Sequence, residues 1–444
     1  MNEIVFGSIA SIGRASVVTA VVAASFLVAA GVMADTTSTP PAGGSGTEAK
    51  VESDAAPAAP ASTASASDDA AKPNDTPVMI VPKKTRVVLD APAPTLGLQT
   101  YSALLDAEEG NVVLSPVSVE VALALVGEAA TPEWKVDIGE VIGHSYEALS
   151  GMDDRASAEK GKLTLANALW LPEGFSITPG YSTRLIADYS GRVATVDFSA
   201  PETLERVNGW VSEQTEGAIP AILDQLSGQT TMLLTNAFYF KGAWLRPFAE
   251  EDTSAQAFKG PDGETEVALM RRAGSYPYAV GEHGRVARMF YEDTDLSLLI
   301  YLPNENADPD AARTEAMAWL FTVDFSETMP SASGTIGLPR FSANGDMDLT
   351  DILSEIGLDE VIGNAGVIAE IKGPFAPTVS RIAQRSFLKV DEHGTTAAAA
   401  TAVLGLRSVK TDTFEFIVDR PFHIALHHAN VPTPLMVGFI ADPN

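Results

Sequence analysis

The sequence of 444 residues contains no cysteine and is poor in basic residues. Its 58 Asp and Glu residues outnumber its 29 Lys and Arg residues, which gives a formal net charge of -29. Without cysteine, the chain cannot form a disulfide, a Cys-ligated metal site, a thiol nucleophile or an acylated lipoprotein anchor. Because the negative charge repels phosphate backbones and anionic lipids, we expect no nucleic-acid partner and no binding to membrane surfaces.

The spacing signatures of common enzymes are also absent. The sequence has no GxSxG, GxxxxGK[ST], GxGxxG or HExxH motif. Histidines occur at positions 144, 283, 393, 423, 427 and 428, and no two of them share a helical face beside a glutamate. We therefore expect structural or surface histidines, no catalytic residue, no metal site and no cofactor.

Two segments of distinct composition precede the globular part of the chain. Residues 15–34 are uncharged, mostly apolar and end in small residues before Asp35, which is typical of an export signal over residues 1–34. The run is also long enough to span a bilayer, so an uncleaved anchor is the alternative. Residues 35–85 are mostly Ala, Pro, Ser and Thr, which predicts a disordered tether. We expect a secreted or periplasmic protein, membrane-tethered if the signal is not cleaved.

Hydrophobic periodicity continues through the rest of the chain, so residues 86–444 are interpreted as one domain. Apolar patterns predict helices with one apolar face over residues 117–126 and 204–213. Buried strands are predicted over residues 163–171, 232–240, 296–302, 387–390 and 435–440. Because helices and strands cluster instead of alternating, the pattern favours an α+β fold over a doubly wound parallel sheet.

An unusual segment follows the predicted strand 387–390. Between Gly394 and Leu406 there is no charged residue, no proline and no aromatic residue. Helix propensity favours a short surface helix over residues 397–400, since alanine is the strongest helix former. The alternative is an exposed loop that presents a peptide bond to a protease.

Short motifs in a fixed order extend along the same domain. They are NVVLSPVS at 111–118, ANALW at 166–170, NGWV at 208–211, TNAFYFKGAW at 235–244, LPRF at 338–341, DRPF at 419–422 and PLMVG at 434–438. Their order and spacing resemble the serpin family over about residues 96–444, in an exported, bacterial-type member. The resemblance implies an α+β serpin fold with three β-sheets, about eight or nine helices and an exposed reactive-centre loop.

The resemblance also implies a function. Inhibitory serpins are cut by a serine protease at this loop, and the cut loop inserts into the main sheet and traps the acyl-enzyme. We therefore expect a monomeric suicide-substrate inhibitor, not an enzyme, with serine proteases as covalent partners. The alternative is a non-inhibitory serpin that acts as a binding or carrier module.

The hinge and the inserting part of the loop contain small residues. By resemblance they comprise Glu392, Gly394, Thr395, Ala397, Ala398, Ala399, Ala400 and Thr401. After insertion, alternate residues from Thr395 to Val403 would share the buried face of the sheet. A charged side chain on that face would be buried without a partner, and this sequence has none there.

The cleaved bond is predicted at Arg407-Ser408. Arginine suits the acidic specificity pocket of trypsin-like proteases. The commonest family spacing from Gly394 indicates Ser408-Val409 instead, and Lys410-Thr411 is a further basic option.

A polar cluster that gates the main sheet is also implied by the resemblance. It consists of Ser115, Ser118, Asn236 and Gln384. Gln384 stands where the family usually has histidine. Because an amide both donates and accepts hydrogen bonds, Gln384 is expected to bond with the other three residues.

At the point where the strand leaves the sheet, Glu392 is expected to pair with Arg340, beside Trp244. Many serpins carry a polyanion-binding helix in the region that corresponds to residues 128–160. That region is shorter here and the chain is acidic, so we expect no polyanion cofactor.

Overall fold

The computed structural model describes residues 87, 89, 92–144, 161–292, 295–322, 329–395, 414–431 and 433–444. The expected export signal (1–34) and tether (35–85) therefore lie outside the described residues. Within the ranges given, no helix combines the length and the apolar character needed to cross a membrane.

Most helices of the described part begin at a proline. The helices are α1 (Leu96–Ala107), α2 (Pro116–Ala129), α3 (Pro132–Ile142), α4 (Pro179–Tyr189), α5 (Pro201–Gln214), α6 (Pro309–Leu320) and α7, which joins Leu349–Leu353, a π-helical turn Ser354–Leu358 and Asp359–Gly363. A short 3₁₀ turn covers Glu250–Asp252. Helices α2 to α6 all begin with proline, whose fixed φ and missing N–H suit the first helical position.

The described residues thus contain seven helical segments, slightly fewer than the eight or nine expected. The reason lies partly in α7. Gly357, with φ +94°, kinks this segment without ending it, so two short helices form one continuous run.

Strands make up most of the remaining regular structure. They are β1 (Val112–Leu114), β2 (Gly161–Pro172), β3 (Ser176–Ile177), β4 (Arg192–Val196), β5 (Leu233–Ala243), β6 (Thr253–Gly260), β7 (Gly263–Val280), β8 (Gly284–Phe290), β9 (Leu296–Pro303), β10 (Ser331–Pro339), β11 (Phe341–Asp348), β12 (Ile371–Lys372), β13 (Arg381–Val390), β14 (Gly394–Thr395), β15 (Phe414–Ile417), β16 (Phe422–His428) and β17 (Met436–Ile440). Each strand predicted from apolar runs is present, and β13 begins six residues earlier than predicted.

The strands form three sheets, as expected. A nine-stranded sheet has the order β1-β17-β16-β9-β8-β7-β10-β15, with β6 paired to β7. A six-stranded sheet has the order β11-β13-β14-β5-β2-β4, and β3 and β12 form a two-stranded sheet. Antiparallel and parallel pairs both occur and the helices are not interleaved regularly with the strands, so the predicted α+β class is confirmed.

Helix α2 differs from its prediction. The pattern in residues 117–126 predicted one apolar face, but every residue of α2 is buried. The cause is its position, because α2 contacts three other helices, α1, α3 and α4, and strands β5, β13 and β17. A helix enclosed in this way has no solvent face. It therefore forms a floor under the six-stranded sheet.

Candidate functional site

The six-stranded sheet is open at one end. Strands β5 and β13 pair directly and in parallel from Leu233 and Arg381 up to Tyr239 and Phe387. Above this point the two-residue strand β14 lies between them and pairs with both in antiparallel fashion. The chain that follows β13 therefore turns back and re-enters its own sheet.

Gly394 makes this turn possible. Its φ is +152°, and a Cβ atom there would lie 2.1 Å from the carbonyl oxygen of Gly242 and 2.8 Å from Cα of Ala243. No larger residue fits without displacing the backbone of β5. Within the turn, the Asp391 N–H donates to the Gly394 carbonyl at 2.9 Å. Gly394 therefore occupies the turn at which the chain re-enters the sheet.

Thr395 ends in a buried aromatic pocket. Its side chain is fully buried, and its Oγ1 lies 2.7 Å from the hydroxyl oxygen of Tyr291. Tyr291 stacks on Trp244 with ring centroids 4.4 Å apart and meets the edge of Phe240 at 4.8 Å. Because burial raises the pKa of Tyr291 above its ordinary value, its hydroxyl stays protonated. This pocket holds the first inserted side chain.

Trp244 also fixes the turn that leads to Thr395. Its indole N–H donates to the carbonyl of Asp391 at 3.0 Å, and its backbone N–H donates to the carbonyl of His393 at 2.9 Å. Trp244 therefore lies beside the strand exit, as expected.

The structure also brings Glu392 and Arg340 together. Arg340 Nε donates to both carboxylate oxygens of Glu392 at 2.7 Å, and the Thr253 hydroxyl donates to Glu392 Oε1 at 2.5 Å. The Glu392 side chain is 4% exposed and that of Arg340 is 48% exposed. Burial alone would raise the pKa of Glu392, but the hydrogen bonds from Arg340 and Thr253 outweigh it and lower the pKa below its usual value.

In the closed part of the sheet, Gln384 connects β13 to the first turn of α2. Gln384 Oε1 accepts from the backbone N–H of Ser115 at 3.0 Å, and Gln384 Nε2 donates to the Ser115 carbonyl at 3.2 Å. Ser115 Oγ lies 2.7 Å from both Ser118 Oγ and the carbonyl oxygen of Leu435. The sheet is thereby attached to its floor.

The expected bonds from Gln384 to Asn236 and Ser118 are not formed, so this part of the gate prediction is wrong. Asn236 lies beside Gln384 in the parallel register, but its amide N–H donates to Asn167 Oδ1 at 2.5 Å. The reason is the direction of the Gln384 side chain, because its amide points towards α2 and bonds to the backbone of Ser115. Asn236 Oδ1 and the Ser386 hydroxyl have no hydrogen-bond partner among the described residues.

Three contact residues were not assigned to the site from the sequence. Thr253 and Asn167 are polar and lie in or near the motifs, so a closer reading of those motifs could have found them. Tyr291 carries no such signal, since its role depends on stacking against Trp244 across the fold. The predicted residues Ala397, Ala398, Ala399, Ala400, Thr401, Arg407 and Ser408 lie outside the described residues.

These contacts define a class of protein in which the chain after one strand turns back and inserts between two strands of its own sheet. Residues 93–443 match the family described as Serpin (serine protease inhibitor). The chain belongs to the serpin family, and the expected serpin fold is confirmed. The family model and the curated relatives that match this chain are described as protease inhibitors, not as enzymes.

The relatives of this chain include a leukocyte elastase inhibitor and a thyroxine-binding globulin. The leukocyte elastase inhibitor of Bos taurus is 28% identical over 354 residues, which cover 75% of this chain and 93% of that protein. Serpin48 of the insect Tenebrio molitor has a TM-score of 0.69 at 24% identity, covering 79% of this chain and 96% of its own. Human thyroxine-binding globulin has a TM-score of 0.70 at 19% identity, covering 79% and 97%. The two structures are similar to this chain in fold alone.

Proposed function

We propose that this protein is an exported suicide-substrate inhibitor of trypsin-like serine proteases. The cut loop would insert into the six-stranded sheet and hold the protease as an acyl-enzyme. One observation carries the proposal. The sheet already accepts Gly394 and Thr395 between β13 and β5, at the end where the loop enters.

The register of β14 supports continued insertion. Thr395 pairs with Gly242 of β5 and with Val390 of β13. If β14 continued in this register, Thr401 would pair with the residue six positions before Gly242 on β5 and with the residue six positions before Val390 on β13. Thr401 would therefore lie between Asn236 and Gln384. A threonine hydroxyl there has a natural acceptor, because Asn236 Oδ1 is buried and unpaired among the described residues.

The expected energy is sufficient to deform a protease. Insertion of about ten residues at ~1 kcal/mol net per hydrogen bond would release on the order of 10 kcal/mol. Typical domains are stable by only ~5–15 kcal/mol, so a dragged protease would lose its active-site geometry. Misaligned catalytic groups cannot hydrolyse the acyl-enzyme.

We place the cleaved bond at Arg407-Ser408, with Ser408-Val409 and Lys410-Thr411 as alternatives. The test is to mix the purified protein with trypsin and analyse the products by denaturing electrophoresis and mass spectrometry. A covalent complex and a released peptide that begins at Ser408 are expected. Quantitative loop cleavage with trypsin left active would refute the inhibitor proposal, and another peptide start would refute only the bond assignment.

We further propose that residues 1–34 direct export and that the mature inhibitor is a monomer without a polyanion cofactor. The mature chain recovered from the periplasm or medium should begin at Asp35. A full-length chain in the membrane fraction would instead support the anchored alternative.

A second candidate function, a small-molecule carrier, is supported by a cleft of about 400 Å³ between α1, α6, β16 and β17. Its lining combines apolar side chains, such as Leu105 and Phe439, with five polar ones: Glu108, Asp310, Arg313, Arg420 and His423. Thyroxine-binding globulin, a fold relative, is described in complex with thyroxine. Calorimetric titration with thyroxine tests this candidate, and tight binding without inhibition of any protease would favour it.

A further inference from the structure

Away from the sheet opening, basic side chains gather in one cleft. The cleft has a volume of about 250 Å³ and lies where the chain after Trp244 meets β7 and β8. Three arginines line it, Arg246, Arg272 and Arg288, and none of the described lining residues is Asp or Glu. In a chain of net charge -29, this concentration of positive charge is a local exception.

The charges of two of these arginines are not neutralised by the part of the protein that is described. Neither Arg246 nor Arg272 forms an ion pair within the described ranges. Arg272 Nη1 donates to the backbone carbonyl of Arg246 at 2.5 Å, which holds the two residues together. Burial and the nearby charge of Arg246 both lower the pKa of Arg272. A carboxylate in the cleft would relieve this repulsion through charge-assisted hydrogen bonds.

The rim of the cleft is apolar. Leu245 is 50% exposed and Phe290 is 38% exposed, and they are two of only five large hydrophobic side chains exposed in the described part of the chain. The Arg288 guanidinium lies over the Phe290 ring, 5.0 Å from its centroid. Arginine beside exposed aromatic and aliphatic side chains is the composition that favours a protein partner.

The cleft lies next to both ends of the segment 396–413. On the hinge side, Leu245 directly follows Trp244, which binds the turn at Asp391. On the other side, Tyr276 in the cleft packs against Phe414, with ring centroids 6.4 Å apart. The segment 396–413 contains one acidic residue, Asp412, and two basic residues, Arg407 and Lys410, so its side chains carry no net negative charge. A protease attached to the loop would lie within reach of the cleft.

We propose that this cleft is an exosite that binds an acidic segment with an apolar neighbour on the surface of the target protease. This inference rests on the proposed inhibitory function. It adds that the inhibitor prefers proteases with an acidic surface segment beside an apolar side chain. A protein partner is favoured over a sulfated polysaccharide because the rest of the inhibitor is strongly acidic and would repel an extended polyanion.

The test compares Arg246→Glu with the wild type in association with anionic and cationic trypsin. Arg272 contacts only the backbone carbonyl of Arg246, and the Arg246 side chain makes no hydrogen bond to another described residue, so the variant should fold. Lys372→Glu on the two-stranded sheet is the matched control, because it changes the charge equally and Lys372 is exposed.

With anionic trypsin at low salt, Arg246→Glu should slow association by roughly tenfold, and the difference should shrink at 1 M salt. With cationic trypsin the variant should not slow association, and Lys372→Glu should change either rate by less than about twofold. Equal slowing by both variants, or equal slowing with both trypsins, would overturn the exosite.

Two further measurements separate the exosite from the inhibitory function. An anionic trypsin whose catalytic serine is replaced by alanine should bind wild type more tightly than Arg246→Glu. If this difference is found but active trypsin forms no covalent complex, the exosite stands and the inhibitory function fails. If a sulfated polysaccharide accelerates inhibition and Arg246→Glu abolishes the acceleration, the cleft is a cofactor site and the proposal is wrong.

Discussion

The hinge end and the closed part of the six-stranded sheet differ in how their buried polar groups are satisfied. At the hinge end, Glu392 and Thr395 are buried and hydrogen-bonded, and one buried side-chain atom, Nδ1 of His393, has no partner among the described residues. In the closed part, β5 and β13 pair with each other, but the side-chain oxygens of Asn236 and Ser386 have no partner among the described residues. Buried unpaired groups cost free energy, so the closed part is the less satisfied half of the sheet. An inserting strand would therefore gain the most hydrogen-bonding free energy in the closed part.

The largest expected effect comes from disturbing the hinge end with Thr395→Arg. The side chain would place a charge in a position that is fully buried. A buried, unpaired charge costs several kcal/mol, so formation of the covalent complex with trypsin should fall on the order of a hundredfold. Stoichiometry of inhibition measures the loss. The control is Thr395→Ser, which keeps the hydroxyl that contacts Tyr291, and unchanged inhibition by Thr395→Arg would contradict the role of the hinge.

The floor under the closed part contains a buried carboxyl, Glu120 in α2. Burial raises the pKa of Glu120 to about 8, although its Oε1 accepts from the Gly97 N–H and the Thr433 hydroxyl. Its other oxygen lies 3.7 Å from Nε2 of His144, whose pKa is lowered by burial. An unfolded glutamate has a pKa of about 4.3, so the folded protein should lose stability as pH rises from there to about 8.

Glu120→Gln should remove most of this pH dependence. Because the amide stays neutral, the variant should exceed the wild type in free energy of unfolding by on the order of 3 kcal/mol at pH 8, and by little at pH 4.5. Thermal unfolding across this pH range measures the difference. A constant difference between the two proteins at all pH values would mean that Glu120 does not titrate between the folded and unfolded states.

Weakening the strand-exit pair should have an intermediate effect. Arg340→Ala leaves the buried carboxylate of Glu392 without its main partner. Since Arg340 is about half exposed, we expect a loss of about 2 kcal/mol, below the ~3–5 kcal/mol of a fully buried pair. The lowered pKa of Glu392 stabilises the fold above about pH 4.3 and this stabilisation disappears as pH falls, so the variant and wild type should converge in acid. Arg340→Lys, which keeps the charge, should lose less.

The smallest effect concerns the unpaired hydroxyl in the closed part. Ser386→Ala removes a buried group without a partner and should raise the free energy of unfolding by about 1 kcal/mol. Ser118→Ala is the matched control, because its hydroxyl lies 2.7 Å from Ser115 Oγ, and it should lower stability by a similar amount. Urea denaturation of both variants checks the comparison, and changes of the same sign would contradict it.

Much of the fold could be predicted from apolar spacing, but the details of the site could not. The strand predicted over residues 232–240 begins one residue before β5 and otherwise lies within it, because nearly all of that strand is buried and reads as a continuous apolar run. The two-residue strand β14 has no such pattern. It exists because Gly242 and Val390 flank Thr395, and that pairing brings together residues far apart in the chain.

The sequence by itself determined the family, the glycine at the predicted hinge, the small and uncharged residues that follow it, and the absence of any disulfide. These depend on residue type and order, which can be read directly. Only the tertiary structure decided that Gln384 bonds to Ser115 instead of Asn236, that Tyr291 receives Thr395, and that Arg246 and Arg272 share a cleft. Such contacts depend on the directions of side chains from separate strands, and no spacing along the chain encodes those directions.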